Sequence, residues 1–157
     1  MDVYYFDTSV TVKYYLPEVG SSWIIDLVDE VDNGACLNTI VFSKIAVVEG
    51  AAAIAKRQRM GQITDAQQKR LVGLFLKDCA DRFQAWDVDD EVVELATDLT
   101  QRHPLRGYDA MHLATALILN RALVENALPP LTFVAADNVL YEAAEKEKLA
   151  VENPNQH

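Results

Sequence analysis

The chain opens with Val3-Tyr4-Tyr5-Phe6-Asp7-Thr8-Ser9, a short apolar and aromatic run that stops at an acid. A strand of this kind, apolar on both faces, is typical of the buried centre of a parallel sheet. Residues 8–16 are predicted to form a helix, which Pro17 ends. A buried strand that passes at once into a helix, with an aspartate at the joint, indicates the first unit of an α/β fold.

The same alternation continues to the end of the chain. Further strands are predicted at 35–39, 83–86, 131–135 and 150–152, and further helices at 22–31, 43–60, 64–79, 89–102, 108–123 and 137–148. This order predicts an α/β fold with a mainly parallel sheet and helices on both faces. Ligands of such folds bind at the carboxyl ends of the strands, near the point where the strand order reverses.

Composition limits the class of protein. The chain has 157 residues, of which 50% are hydrophobic, so it is expected to form one domain over residues 1–157 with a substantial core. It has neither a long charge-free apolar segment nor a basic, apolar leader, which predicts a cytoplasmic protein with no membrane partner. Cys36 and Cys79 are isolated from each other and from any His pair, so we expect buried reduced thiols rather than a zinc site.

The charge is uneven along the chain. The formal net charge is −10, which argues against a generally basic nucleic-acid binder. Residues 56–82, however, carry 7 basic and 3 acidic side chains, a net charge of +4. This segment is either a pair of solvated helix faces or a local surface for a polyanion, so the net charge alone does not exclude RNA.

Four acids stand out by position. Asp7 and Asp137 follow apolar strands, Asp109 lies in the first turn of the helix 108–123, and Glu49 lies inside the apolar helix 43–60. Each also has an ordinary interpretation. The aspartates suit helix caps or helix-start positions, and Glu49 suits a solvent-facing stripe.

A cluster of these carboxylates would need a cation. Two carboxylates repel by roughly 4 kcal/mol at about 4 Å and an effective dielectric constant near 20. Ligation by oxygen alone favours Mg²⁺ or Mn²⁺ over Zn²⁺. Such ions activate water and clamp phosphates, so the chemistry indicated is phosphodiester hydrolysis.

Five motifs together resemble one family. They are Tyr5-Phe6-Asp7-Thr8-Ser9, the segment from Ser43 to Glu49, Arg106-Gly107-Tyr108-Asp109-Ala110-Met111-His112, Phe133-Val134-Ala135-Ala136-Asp137, and Val151-Glu152-Asn153-Pro154. In this order they resemble the PIN-domain family, and in particular its VapC-type toxin ribonucleases. One departure is Ala135, where many members carry Thr or Ser two residues before the last acid.

The resemblance implies a fold, an activity and partners. The fold is a three-layer α/β/α sandwich around a mainly parallel sheet. Asp7, Glu49, Asp109 and Asp137 would be both the catalytic acids and the metal ligands of a Mg²⁺- or Mn²⁺-dependent endoribonuclease. The partners would be an RNA substrate, a cognate antitoxin protein and a second copy of the chain in a homodimer.

Other side chains have weaker assignments. The hydroxyls of Thr8 and Ser9 either support the metal site around Asp7 or simply cap the following helix. His112, one turn after Asp109, either contacts the site or its substrate or is a packing residue, the commoner role of such a histidine, and it is not assigned to the metal. Four basic residues are assigned to RNA phosphates, with an ordinary surface position as the alternative: Lys56, Arg57, Arg59 and Arg106.

The main alternative is a non-catalytic PIN-like module that binds RNA or protein. Loss of an acid would favour it, and all four acids are present. A haloacid-dehalogenase-type phosphatase also begins with an aspartate after a strand, but it needs a second aspartate where this chain has Ser9. The sequence therefore favours an active nuclease.

Overall fold

The computed structural model describes residues 2–157. The strands are β1 (Asp2–Phe6), β2 (Val31–Asp32), β3 (Ala35–Cys36), β4 (Asn38–Ser43), β5 (Gln84–Trp86), β6 (Thr132–Val134) and β7 (Ala150–Glu152). The helices are α1 (Thr8–Tyr15), α2 (Ser21–Asp29), α3 (Ile45–Arg59), α4 (Asp65–Asp81), α5 (Asp90–Arg102), α6 (Gly107–Glu125) and α7 (Asn138–Lys146), followed by a 3₁₀ turn at Pro154–Gln156.

Five strands form the central sheet. Their order is β5-β4-β1-β6-β7, and every neighbouring pair is parallel. The strand β1 therefore lies at the centre, with hydrogen-bonded neighbours on both sides. The strands β2 and β3 form a separate antiparallel hairpin.

Alternate side chains of the sheet enter two different cores. Tyr5 and Phe133 pack on one face with residues of α5, α6 and α7. Phe6 and Val134, their neighbours in sequence, pack on the other face with residues of α1, α2, α3 and α4. This alternation is the two-residue period of a strand buried on both faces. The expected three-layer α/β/α sandwich with a parallel sheet is confirmed.

The strand order creates a crevice beside β1. After β1 the chain adds β4 and β5 on one side, and it later adds β6 and β7 on the other. The helices that leave β1 and β6, α1 and α7, cover opposite faces of the sheet. Their first turns diverge at the carboxyl edge, where the N–H of Asp7 reaches the carbonyl of Val134 at 3.4 Å. This is the switch point at which α/β sheets bind ligands.

The boundaries around the hairpin differ from the prediction. The strand β4 runs over Asn38–Ser43, although a strand was expected at 35–39 and a helix from 43. The apolar run from Ile40 to Phe42 is buried, and periodicity alone does not separate a short buried strand from a helix. Residues 35–36 belong to the hairpin, whose turn Asn33-Gly34 has φ angles of 51° and 82°. Cys36 is consequently exposed, so its expected burial is wrong.

No helix within residues 2–157 has the length and apolar character needed to cross a membrane.

The helices α3 and α4 approach closely at a glycine. A Cβ atom added to Gly50 would lie 2.5 Å from Cζ of Phe75. The Phe75 ring is 1% exposed and packs edge-on against Tyr15 at a centroid distance of 5.4 Å, so it has little room to move. Gly50 is adjacent to Glu49. The contact between Gly50 and Phe75 therefore fixes how closely this part of α3, including Glu49, approaches α4.

Substitution of the two helical glycines tests this packing. Gly50→Ala should lower the free energy of unfolding by about 1–2 kcal/mol, because overpacking costs more than the gain in helix propensity. The matched variant Gly73→Ala, in α4, meets no atom within 4 Å and should raise it by roughly 0.5–1 kcal/mol. Urea unfolding followed by circular dichroism measures both. Equal effects of the two substitutions would contradict the close approach.

Candidate active site

One open cleft lies at the carboxyl edge of the sheet, with a volume of about 1290 Å³. It gathers all of the side chains that the sequence singled out for metal, support and phosphate binding. They are Asp7, Thr8, Ser9, Glu49, Lys56, Arg57, Arg59, Arg106, Asp109 and Asp137. Residues separated by up to 130 positions in the chain therefore share one surface.

The four acids come from four elements. Asp7 is the N-cap of α1 and accepts a hydrogen bond from the Val10 N–H at 2.8 Å. Asp137 is the N-cap of α7, Asp109 lies in the first turn of α6, and Glu49 lies on α3. The capping interpretation is thus correct for Asp7 and Asp137, and it does not compete with a role in the cleft. A cap at a strand-to-helix joint places its carboxylate at the edge of the sheet.

Asp7 is the most deeply buried of the acids, at 5% exposed. Ser9 donates its hydroxyl to both carboxylate oxygens of Asp7, at 2.8 and 3.0 Å. Burial nevertheless raises the pKa of Asp7, because desolvation outweighs the stabilisation by His112, Val10 and Ser9. The folded protein thus holds a carboxylate at a position that disfavours its charge.

The pKa of Glu49 is shifted in the opposite direction. Desolvation raises its pKa, but His112 and the Thr8 hydroxyl together outweigh it, and the pKa of Glu49 lies below its ordinary value. Thr8 donates to Glu49 Oε1 at 2.8 Å, and His112 Nε2 lies 2.8 Å from the same oxygen. Thr8 therefore supports Glu49, while Ser9 supports Asp7.

Asp109 lies half-buried between the other acids. Desolvation and then the negative charge of Asp137 raise the pKa of Asp109, and His112 and then Arg106 oppose them. Asp137 itself is exposed. Mutual repulsion and desolvation in this part of the cleft are the conditions that a bound cation relieves.

The donor set suits a hard divalent ion. Within residues 2–157, no three His, Cys, Asp or Glu side chains are arranged closely enough to hold a metal as they stand. Asp7 and Glu49 instead use their oxygens for internal hydrogen bonds, and both ring nitrogens of His112 are engaged by neighbouring side chains. The remaining donors that face the cleft are carboxylate oxygens, the ligands that hard divalent cations prefer.

A basic wall flanks the acids. We use this name for Lys56, Arg57 and Arg59 on α3, together with Arg106 before α6. Arg57 is paired with Glu18 at 3.1 Å and bonded to Gln62 at 3.0 Å. In the described part of the chain, no ion pair engages the other three cations. The wall thus presents three free positive charges beside the carboxylates.

Sequence reasoning undervalued His112 and missed Glu18. His112 is 2% exposed, yet it also lines the cleft and contacts Glu49. A signal was present, because a residue three positions after Asp109 lies on the same side of the helix. No pattern in the sequence pairs Glu18 with Arg57, since they are 39 positions apart.

The family follows from comparison with known proteins. The family model of the PIN domain matches residues 4–148, and the chain belongs to the PIN-domain family. Among curated relatives, Ribonuclease VapC45 of Mycobacterium tuberculosis is 34% identical over 124 residues, which cover 74% of this chain and 76% of the relative. The resemblance seen in the sequence is confirmed. Ribonucleases of this family generally depend on a divalent metal ion.

Solved structures share the fold. VapBC2 from Rickettsia felis, bound to a DNA fragment from its promoter, superposes with a TM-score of 0.58 at 21% identity, covering 96% of this chain and 98% of that one. A toxin–antitoxin complex from Klebsiella pneumoniae gives 0.57 at 17% identity, covering 96% of each chain.

Removal of the buried charge of Asp7 should stabilise the metal-free protein. Asp7→Asn keeps an oxygen for the Val10 N–H and the Ser9 hydroxyl but removes the desolvated charge, so we expect a gain of about 0.5–2 kcal/mol at pH 7.5. The raised pKa of Asp7 sets the pH window. The gain is complete above the folded-state pKa and disappears below the ordinary pKa of an aspartate, where both states are protonated.

Thermal unfolding in EDTA across this pH range measures the effect. Asp89→Asn is the matched control, since Asp89 is also an N-cap but is exposed, and it should give no such gain. A lower melting temperature for Asp7→Asn at pH 7.5 would contradict the account of the buried charge.

Proposed function

We propose that this protein is a divalent-metal-dependent endoribonuclease of the VapC type. The observation that carries the proposal is the placement of four carboxylates and a basic wall in one cleft of a PIN-domain chain. Its curated relatives bear the name ribonuclease. The carboxylates suit the chemistry of phosphodiester hydrolysis, and the positive charges suit binding of the negatively charged substrate.

We assign the carboxylates of Asp7, Glu49, Asp109 and Asp137 to the binding of Mg²⁺ or Mn²⁺. A divalent ion supplies Lewis-acid polarisation and lowers the pKa of a coordinated water. The protein contributes fixed positions. Ser9 and Val10 hold Asp7, and Thr8 holds Glu49. Burial and the additional hydrogen bonds from Ser9 make Asp7 the most restrained of the four proposed ligands.

The reaction is hydrolysis of a phosphodiester bond. Water adds to phosphorus, the bond from phosphorus to the 3′ oxygen breaks, and that oxygen takes up a proton. The products carry a 5′-phosphate and a 3′-hydroxyl.

The substrate is held by its backbone. Lys56, Arg59 and Arg106 are free to contact phosphates, and Arg57 presents a guanidinium already oriented by Glu18. Contacts of this kind give affinity without reading the base sequence. The formal net charge of −10 opposes binding elsewhere on the surface, so RNA should be drawn to the cleft alone.

An antitoxin protein is the proposed regulatory partner. One of the related folds is described as a toxin–antitoxin complex, and another as a member of a family of toxin–antitoxin systems. The rim of the cleft carries exposed Met60 and Val139, which offer apolar contacts beside the charged groups. A homodimer and a cytoplasmic location stay predictions. Val10, Val12 and Leu16 of the first helical segment are buried within the protomer and are not available to a dimer interface.

Cleavage of RNA by the purified protein tests the function. Wild type should cut single-stranded RNA with Mg²⁺ or Mn²⁺ and lose this activity in EDTA. Asp7→Asn and Asp109→Asn should lower kcat by about 100-fold or more, because each removes charge that the transition state requires. Asp90→Asn, an exposed acid in the first turn of α5, is the matched control for Asp109 and should retain full activity.

Two outcomes would contradict the proposal. Equal cleavage by wild type and both site variants would show that these acids are not catalytic. RNA binding without cleavage in any divalent metal would favour the non-catalytic binding module.

The basic wall makes a separate prediction about binding. In the Asp109→Asn background, Lys56→Gln and Arg59→Gln should each weaken RNA binding and reduce the slope of log K against log salt by about 0.7, the value for one phosphate contact on a single strand. Arg70→Gln, an exposed cation of α4 outside the cleft, should change neither. Fluorescence anisotropy across a salt series measures these slopes. A slope that depends equally on Arg70 would place the RNA elsewhere.

A further inference from the structure

His112 links the buried core to the cleft. It is 2% exposed and lies on α6, one turn after Asp109. Its Nδ1 lies 3.1 Å from the Tyr5 hydroxyl, inside the sheet-facing core. Its Nε2 lies 2.8 Å from Glu49 Oε1 and 3.1 Å from the Thr8 hydroxyl, at the wall of the cleft. The imidazole therefore spans the distance between β1 and α3.

The donor and the acceptor of each of these hydrogen bonds can be assigned by starting at Tyr5, where a backbone N–H is a fixed donor. The backbone N–H of Ser43 donates to the Tyr5 hydroxyl oxygen at 3.0 Å. The Tyr5 hydroxyl can then donate its own hydrogen to Nδ1 of His112. A hydrogen on Nε2, which this neutral tautomer and the imidazolium both carry, then points to Glu49. The other neutral tautomer would set a lone pair of Nε2 against a carboxylate oxygen at 2.8 Å, which is repulsive.

Glu49 is the acid whose side-chain conformation depends most on hydrogen bonds of this kind. It is a long side chain in the second turn of α3, with more rotatable bonds than the aspartates that cap α1 and α7. Within residues 2–157, the hydrogen bonds that it accepts from Thr8 and His112 both end on Oε1. One oxygen is thereby fixed, and Oε2 accepts neither of these bonds.

We propose that His112 is a positioning residue for the nuclease reaction, which holds Glu49 through Oε1 so that the other oxygen can bind the divalent ion. Tyr5 in turn fixes the orientation of the imidazole. This inference rests on the proposed function, since it assigns a role at the same metal site. It makes the buried histidine part of the machinery rather than a packing residue.

Metal binding measured apart from catalysis tests the proposal. Isothermal titration of Mn²⁺ into metal-free protein gives the dissociation constant, and RNA cleavage at saturating Mn²⁺ gives kcat. His112→Ala should weaken Mn²⁺ binding by about 10-fold, the usual lower bound for loss of a group that orients a metal ligand. His112→Gln should recover most of this loss, because its amide N–H can take the place of Nε2–H toward Glu49.

A second histidine in a similar setting provides the matched control. His103 Nε2 lies 2.6 Å from Glu147 Oε1 and is largely buried, but neither residue lines the cleft. His103→Ala removes a comparable His–Glu contact and should leave the Mn²⁺ dissociation constant unchanged. Tyr5→Phe conserves the ring and its stacking on Phe133 while removing the hydroxyl that orients His112, so it should weaken Mn²⁺ binding in the same direction as His112→Ala.

Each outcome decides the matter. Wild-type affinity for Mn²⁺ in folded His112→Ala, or equal losses in the Ala and Gln variants, would overturn the positioning role. If His112→Ala does not fold, the Mn²⁺ affinities of His112→Gln and Tyr5→Phe are compared instead. Tighter binding of Mn²⁺ by His112→Gln than by Tyr5→Phe supports the positioning role. Failure of the wild type to bind Mn²⁺ would instead overturn the proposed function, and this inference with it.

Discussion

The desolvation of carboxylates gathered at one edge of a parallel sheet, to which repulsion between Asp109 and Asp137 adds, is the constraint on which the rest of this structure depends. Parallel strands end together, so acids that follow β1 and β6 are brought close whether or not their charges are compatible. Neighbouring groups in the protein donate hydrogen bonds to these acids. Ser9 and a backbone N–H serve Asp7, whereas Thr8 and His112 serve Glu49. The pKa values of Asp7 and Asp109 are still raised, and this residual cost is the stability given up for function.

The helix α3 carries both an acid of the cleft and three cations of the basic wall. It carries Glu49 near its start and the cations Lys56, Arg57 and Arg59 about two turns later, on a frame set by the contact of Gly50 with Phe75. A single rigid element therefore fixes the separation between a proposed metal ligand and the proposed phosphate contacts. Glu18, which pairs with both Lys13 and Arg57, ties the basic end of this helix to the segment after α1.

Much of this arrangement could be predicted from the sequence, because strand ends and helix caps are local features. Asp7 and Asp137 were found by the apolar runs that precede them, and the parallel alternation of elements implied that they would meet. The strand β4 was misplaced, because the apolar run at residues 40–42 suits a strand or a helix equally and was left out of the predicted strand at 35–39. His112 was undervalued for a different reason. Its partners Tyr5, Thr8 and Glu49 are distant in sequence, and only packing brings them together.

The central claim is that the four acids form one metal site at the edge of the sheet. A crystal of the wild-type protein soaked in Mn²⁺, with anomalous scattering data collected near the manganese edge, tests it most directly. We predict an anomalous peak in the cleft within bonding distance, about 2.1–2.3 Å, of oxygens from at least two of Asp7, Glu49, Asp109 and Asp137. Manganese bound elsewhere on the protein, with no peak at these carboxylates, would contradict the account.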